Sequence, residues 1–326
     1  MLLGLISALL LGFGAWLAQS SGAVLLAQAL LGVAISTPFI LFAWSIRHSF
    51  YIKSEPAKAS AGSAIYLIAL LGGIGILWLT NLLTGFSAYL IMGMASLLVS
   101  VFLISLRKSK KPAKAEEGGG FSEMWASQWK YARWSGLTSF LIWIPLNIFL
   151  VVIPYSVGLL GTASLRALGN LLTPMMQSSL ALITLVIPKL SQIYREGDKR
   201  ELIKRVKPFV LLLLATSVGY WAILVIFHPQ LFQLLYGGRY SSISELTLLA
   251  GFIPVAFCLS VVLESVLRSM EQPKRIFQAY ASAAIVACTV GVALTLTWQL
   301  VGAIVAQILT FIVLAFVLYR QVRNSK

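Results

Sequence analysis

The fold is decided by two adjacent apolar segments, IFQAYASAAIVACTVGVALTLT (residues 276–297) and QLVGAIVAQILTFIVLAFVLYR (residues 299–320). Their only charged residue is the final Arg320. Each segment has the ~20 residues that a helix needs to cross the hydrocarbon core of a bilayer. Neither shows the alternation over ~10 residues that is typical of a transmembrane β-strand. Because lipid cannot satisfy backbone amides, each segment is predicted to be a transmembrane helix.

The same apolar pattern extends through the chain. Of its 326 residues 59% are hydrophobic and 11% are charged, and the mean hydropathy is +0.90, whereas soluble domains carry about 25% charged residues. The eight further apolar segments are 2–19, 23–46, 61–82, 86–106, 135–157, 163–188, 208–228 and 244–267. The sequence therefore predicts an all-α polytopic integral membrane protein with about ten transmembrane helices.

The basic residues follow the order of these spans. The net charge is +15, but 23 of the 25 lysines and arginines lie in the loops and tail that follow the even-numbered spans. Only Arg166 and Arg239 lie on the other side. This distribution is the positive-inside pattern, which predicts that both termini are cytoplasmic. The charge thus indicates membrane topology rather than binding of nucleic acid, and the basic loops also suit the anionic headgroups of membrane lipids.

The longest polar segment divides the chain. RKSKKPAKAEEGGG (107–120) has the composition of a flexible linker. We predict a partial N-terminal lobe of four spans (1–106), a cytoplasmic linker (107–130) and a C-terminal lobe of six spans (131–326). The aromatic-rich segment 121–134 is predicted to form an interfacial helix that leads into the fifth span, or else a simple aromatic belt.

The two lobes resemble each other. The second span ends at Arg47 and is followed by Pro56, and the eighth ends at Arg268 and is followed by Pro273. Both prolines precede a span that opens with small residues, which allow close helix packing in lipid. We expect a parallel repeat in which spans two to four match spans eight to ten, so that the first half is two helices shorter than the second.

Enzyme chemistry finds little support. The two histidines, His48 and His228, lie at opposite membrane edges, and the two cysteines, Cys258 and Cys288, lie in apolar spans. No metalloprotease, thiol-redox or phosphate-loop spacing occurs. We therefore predict no catalytic residue, metal site or cofactor.

Charged residues within the spans are the first site candidates, because a charge in lipid is costly. Arg166 lies one turn into the sixth span. Its guanidinium could face a cavity and hold a pyrophosphate, or it could extend to the outer interface. Glu264 and Arg268 are spaced to pair on one helix face. They form either an intrahelical ion pair or a gate in which Glu264 responds to a proton or cation.

Two amides follow mid-span prolines, Asn147 after Pro145 and Gln177 after Pro174. Proline frees a backbone carbonyl and bends a helix. A nearby amide could satisfy that carbonyl, line a cavity or simply pack. The outer segment 236–240, YGGRY, reads as a tight turn with aromatic anchors that could also contact a substrate.

Several segments, in order, resemble the Wzx-like oligosaccharide flippases of the multidrug/oligosaccharidyl-lipid/polysaccharide exporter superfamily. The segments are RHSFY (47–51) with Pro56, WIPLN (143–147), LRALGNLLTP (165–174) with Gln177, IPKLS (187–191) and LLYGGRY (234–240). RHSFY with Pro56 resembles the end of the family's fourth span, and LLYGGRY resembles the turn before its tenth span. The three segments between them resemble the start of its C-terminal lobe.

The resemblance implies two six-helix lobes around a cavity, with the first four spans here corresponding to the third to sixth of the family. The first two family helices are then missing, and the chain is either truncated or works in a modified form. Phe149 stands where many members of that family carry an acidic residue, and if that acid contributes to coupling there, the resemblance does not define how transport is coupled in this chain.

The function that the resemblance implies is translocation of a lipid-linked oligosaccharide across the bacterial plasma membrane by rocking of the two lobes. The partner is then a polyprenyl-linked anionic glycan. By position, Arg166, Asn147 and Gln177 are expected in the cavity, with Arg47 and Arg268 at its cytoplasmic mouth.

Three other functions stay open. A cation- or proton-coupled small-molecule exporter of the same superfamily would call for an acid in the N-terminal spans, which have none. A non-transporting scaffold for glycan-synthesis enzymes would tolerate an incomplete lobe. A membrane glycosyltransferase or polymerase generally needs a large loop that carries acids or histidines, and the outer loops here are short.

Overall fold

A computed structural model describes residues 2–52, 55–106, 121–197 and 199–325. Within these ranges the secondary structure is helical, without strands. The chain divides into two compact units, residues 1–116 and 117–326, and each is described by itself. The division falls within the predicted linker, of which residues 107–120 lie outside the described ranges.

The described part of unit 1 contains four helices: α1 (Leu2–Ser20), α2 (Val24–Ile52), α3 (Pro56–Leu79) and α4 (Gly85–Ser105). Helix α4 begins with a capping box in which the Thr84 hydroxyl accepts a hydrogen bond from the Ser87 N–H at 3.1 Å. Helices α2 and α4 approach closely at small residues. A Cβ added to Gly93 would lie only 2.9 Å from the Ser36 hydroxyl oxygen, so the two helices can be this close only because residue 93 is glycine. Close packing at small residues holds helices together in lipid.

Unit 2 contains the rest of the described chain. Its elements are α5 (Phe121–Val152), α6 (Pro154–Val157), α7 (Leu159–Glu196), α8 (Lys199–Tyr236), a 3-10 helix (Ser241–Leu246), α9 (Thr247–Ala250), α10 (Phe252–Ser269), α11 (Pro273–Val286), a π-helical turn (Ala287–Gly291) and α12 (Val292–Asn324). Its core holds fully buried side chains such as Phe149, Leu213 and Leu267. Large apolar side chains also cover its surface, for example Leu159 at 81% exposure. Such a surface suits lipid rather than water.

The described residues form eight helical stretches that are long and apolar enough to cross a membrane, together with the shorter apolar helix Gly4–Ser20. The longest stretch, Pro273–Asn324, is broken at Gln299, where φ is 54° and ψ is −127°. Counting its two arms separately gives the ten expected segments. The all-α polytopic membrane fold predicted from the sequence is confirmed.

The bounds of two spans were predicted too short. The sequence predicted 163–188 and 208–228, whereas α7 and α8 each run for 38 residues. Helix α8 already begins at Lys199, in a strongly basic stretch. Charged residues end an apolar segment but not a helix, because their side chains reach solvent while the backbone hydrogen bonds continue. Residues 121–134 are likewise the first part of α5, continuous with its apolar portion.

The turns that precede α3 and α11 have the same geometry. Glu55 before Pro56 has φ −110° and ψ 56°, and Gln272 before Pro273 has φ −109° and ψ 61°. Each N–H donates to the carbonyl five residues earlier, at 2.9 and 3.0 Å. A residue before proline is kept out of the helical region, so both turns stop one helix and start the next in the same way. This agrees locally with the predicted repeat.

Candidate functional site

Unit 2 contains a groove with a cavity volume of about 260 Å³, lined by α5, α7, α10 and α12. We call it the Arg166 groove. It brings together Arg166, Asn147 and Gln177, the three residues that the sequence placed in a substrate cavity, and it adds Gln307 from α12. A polar residue in an apolar span is itself a signal, and the same reasoning applied to α12 could have found Gln307.

Helical periodicity sets the polar wall of the groove. Arg166, Gly169, Thr173 and Gln177 all line it, at spacings that place them on one face of α7. The opposite face of α7 is buried in the core of unit 2, for example at Leu168. The same amphipathic helix thus anchors itself in the core and presents its polar side chains to the groove.

The proline–amide pair of α5 is only partly as expected. The Asn147 side-chain amide donates to the Trp143 carbonyl at 3.0 Å. The carbonyl that Pro145 leaves without its helical partner is that of Leu141. The amide therefore does not satisfy the freed carbonyl but bonds to the one four residues before itself. Its remaining hydrogen-bonding capacity lies in the groove.

The groove has free donors and no acid among its lining residues. Within the described part of the chain Arg166 forms no ion pair. Phe149, which the sequence resemblance placed at the position of an acid, is buried, and a Cβ added to Gly291 would lie only 2.8 Å from its ring. One guanidinium and three amides can bind phosphate oxygens and hydroxyls, while Leu146, Met176 and similar side chains give apolar walls.

Glu264 and Arg268 form the predicted pair on one face of α10. The Arg268 Nε donates to the Glu264 carboxylate at 2.7 Å. The Tyr280 hydroxyl of α11 donates to the other carboxylate oxygen, also at 2.7 Å. Glu264 is buried and Arg268 is about half exposed. Neither residue lines the Arg166 groove. The sequence did not indicate Tyr280, since it lies 16 residues away on the next helix.

Arg47 lies in unit 1 and lines a cavity of about 110 Å³ between α2, α3 and α4. Its Nη1 donates to the Ser63 hydroxyl at 3.3 Å, and its guanidinium lies 5.8 Å from the Trp44 ring centre. Its buried Nε has no hydrogen-bond partner among the described residues. The role expected for it at a cytoplasmic mouth stays a prediction.

Under the predicted repeat, the cluster around Arg47 and the cluster around Glu264 occupy equivalent positions. The sequence comparison had paired their residues differently. Arg47 and Glu264 each lie nine residues before the turn proline, and Ser63 and Tyr280 each lie seven after it. The contact between Arg47 and Ser63 in unit 1 therefore occupies the position of the contact between Glu264 and Tyr280 in unit 2. The sequence had aligned Arg47 with Arg268. Alignment of the two turns at their prolines, where the backbone geometry is the same, gives a register that differs by four residues from that pairing.

Among the described residues, no group of three or more histidine, cysteine, aspartate or glutamate side chains is placed to hold a metal ion. The sequence matches no protein-family model and no curated protein.

Solved structures do match, over nearly the whole chain. One is described as an outward-facing multidrug resistance MATE family transporter of the MOP superfamily, with a TM-score of 0.81 and 14% identity, covering 99% of this chain and 76% of that chain. The inward-facing form of such a transporter matches with a TM-score of 0.73 and 12% identity, covering 99% and 77%. A MATE structure in the straight conformation gives 0.82 and 14%, covering 99% and 75%. These neighbours are transporters, and at such low identity the likeness establishes the fold.

Proposed function

We propose that this protein is a transporter of the same superfamily that translocates a lipid-linked oligosaccharide across the bacterial plasma membrane by alternating access. Two findings support a transporter of this kind. The fold matches transporters solved in outward-facing and inward-facing conformations, and the Arg166 groove places a cation among amides. Of these two findings, the composition of the groove is the one that favours a lipid-linked oligosaccharide as the substrate.

The groove suits the polar part of such a substrate. A guanidinium binds phosphate oxygens through paired hydrogen bonds, and amides exchange hydrogen bonds with sugar hydroxyls. In this account Arg166 holds the pyrophosphate, and Asn147, Gln177 and Gln307 contact the sugars. The polyprenyl tail stays in lipid, where its hydrocarbon needs no polar partner. The substrate drives the change of conformation only as far as it binds one conformation better than the other.

The test is complementation. The chain is expressed in a bacterium that lacks its lipid-linked oligosaccharide flippase, and surface glycan is measured for the wild type and for Arg166→Ala. We expect the wild type to restore glycan and the variant to lose most of it, because a charged hydrogen bond contributes about 1.5–3 kcal/mol. Arg205→Ala, which removes an exposed arginine of α8, is the matched control and should behave as the wild type.

A second candidate is a cation- or proton-coupled small-molecule exporter. The observation in its favour is that matched structures are described as multidrug resistance transporters. Against it, no carboxylate lines the Arg166 groove to attract a cationic compound or to carry a coupling proton. Export of a cationic dye by cells that express the chain, without restoration of glycan, would favour this second function.

A further inference from the structure

A second cavity of unit 2, of about 480 Å³, shares Arg166 with the first. Helix α7 contributes Ala163, Arg166 and Asn170, helix α8 contributes its last residue, Tyr236, and the turn after α8 contributes Arg239. We call it the Arg239 cavity. Because Arg166 lines both cavities, one guanidinium borders two spaces on the same face of α7.

The turn after α8 is built to return Arg239 toward α7. Gly237 and Gly238 have φ of 58° and 79°, values that glycine adopts without steric cost. The Tyr236 hydroxyl donates to the Ala167 carbonyl at 3.0 Å, which fixes the end of α8 against α7. The Tyr240 ring packs edge-on against that of Tyr236, with the centres 5.4 Å apart. The two tyrosines that flank Arg239 therefore contact each other and close the turn around it.

The cavity carries positive charge that the protein does not neutralise. Both arginines are exposed, and neither forms an ion pair within the described residues. No acid is among the residues that line the cavity. Asn170 lies one turn from Arg166 and adds an amide. Two guanidinium groups on one cavity repel each other, and an anion between them relieves that repulsion.

We propose that the Arg239 cavity is a second anion site, which binds a phosphate or pyrophosphate ester between Arg166 and Arg239. Each guanidinium offers paired donors that match phosphate oxygens. On the orientation expected from the loop charges this end of α7 is the outer one, so the site receives the phosphate after it leaves the Arg166 groove. This order of events rests on the proposed function. The binding itself rests on the two arginines alone.

The test is direct binding by the purified full chain in phosphatidylcholine nanodiscs. The probe is farnesyl pyrophosphate, and farnesol, which has the same tail without the charge, corrects for partition into lipid. The variants are Arg239→Gln, Arg166→Gln and the two combined, and Arg205→Gln is the charge-matched control. We expect each single variant at the cavity to weaken the pyrophosphate-dependent binding about tenfold or more. The double variant should lose less than the product of the two single losses, because both groups bind one ligand.

The inference is overturned if the wild type shows no preference for the pyrophosphate, if Arg239→Gln binds as the wild type does, or if Arg205→Gln weakens binding equally. Should Arg239→Gln fail to fold, Arg239→Lys replaces it and must still weaken binding, since lysine lacks the paired donors. Nanodiscs doped with phosphatidylglycerol identify the source of the phosphate. Competition indicates a lipid headgroup, and its absence indicates the polyprenyl carrier.

Failure of the proposed function is distinguishable from failure of this site. If complementation fails but Arg239→Gln weakens pyrophosphate binding, the anion site stands without the flippase. If complementation succeeds while Arg239→Gln leaves pyrophosphate binding unchanged, the site alone is wrong.

Discussion

At the residue scale, the buried Glu264 shows how unit 2 holds a charge within apolar surroundings. The carboxylate accepts hydrogen bonds from Arg268 on its own helix and from Tyr280 on α11. A buried charge is costly unless it is paired and hydrogen-bonded, and two charged or polar partners meet that need. The arrangement also ties α10 to α11 across the turn at Pro273.

Tyr280→Phe tests this contact with a minimal change. The variant keeps the ring and removes the hydroxyl that donates to Glu264. We expect the free energy of unfolding in detergent to fall by about 1.5–3 kcal/mol, the usual contribution of a hydrogen bond to a charged group. Tyr319→Phe is the control, because Tyr319 is exposed and no described residue hydrogen-bonds to its hydroxyl. Equal stability of the two variants would show that the contact adds nothing.

Residue identity predicted the ion pair but not the tyrosine. Glu264 and Arg268 lie four apart in one helix, so their contact follows from helical geometry. Tyr280 reaches the carboxylate only because the turn at Pro273 sets the angle between α10 and α11. The partial mismatch at Asn147 has a similar cause, since which carbonyl the amide reaches depends on its rotamer and not on its position after Pro145.

At the element scale, the two arms of the Pro273–Asn324 stretch meet at Gln299 without a glycine or proline at the break itself. Gln299 adopts a positive φ, which is unfavourable for a residue with a side chain. The close approach comes three residues later, where a Cβ on Gly302 would lie 1.9 Å from the Leu294 carbonyl oxygen. The sequence predicted the break between 297 and 299 from segment lengths, but it did not indicate this contact.

Gly302→Ala should therefore disrupt the junction. The opposing atom is backbone and cannot move away as a flexible side chain could, so we expect a loss of at least about 1–3 kcal/mol, measured as a lower thermal unfolding midpoint. Gly219→Ala is the matched control. Gly219 lies within α8 with no heavy atom near its added Cβ, and alanine favours helix there. A Gly302→Ala protein as stable as the wild type would mean that the arms do not pack in this way.

At the scale of the whole molecule, the sequence predicted the class of fold, and it singled out three of the polar residues that the structure places in the Arg166 groove. Long apolar segments and the alternation of basic loops follow from the bilayer as solvent, and these signals are strong. The polar residues of α5 and α7 stand out against apolar surroundings for the same reason. The ends of α7 and α8 were missed because charge marks where a helix leaves the lipid and not where it ends.

Reconstitution measures directly whether the protein moves a lipid-linked oligosaccharide, as proposed. The purified chain is placed in proteoliposomes with a fluorescent polyprenyl-pyrophosphate oligosaccharide, and a membrane-impermeant quencher reports which leaflet the lipid occupies. We expect the wild type and Arg205→Gln to expose the inner-leaflet lipid, and Arg166→Gln to slow this at least about tenfold. If folded and inserted wild-type protein exposes the lipid no faster than protein-free liposomes do, the protein does not translocate this lipid.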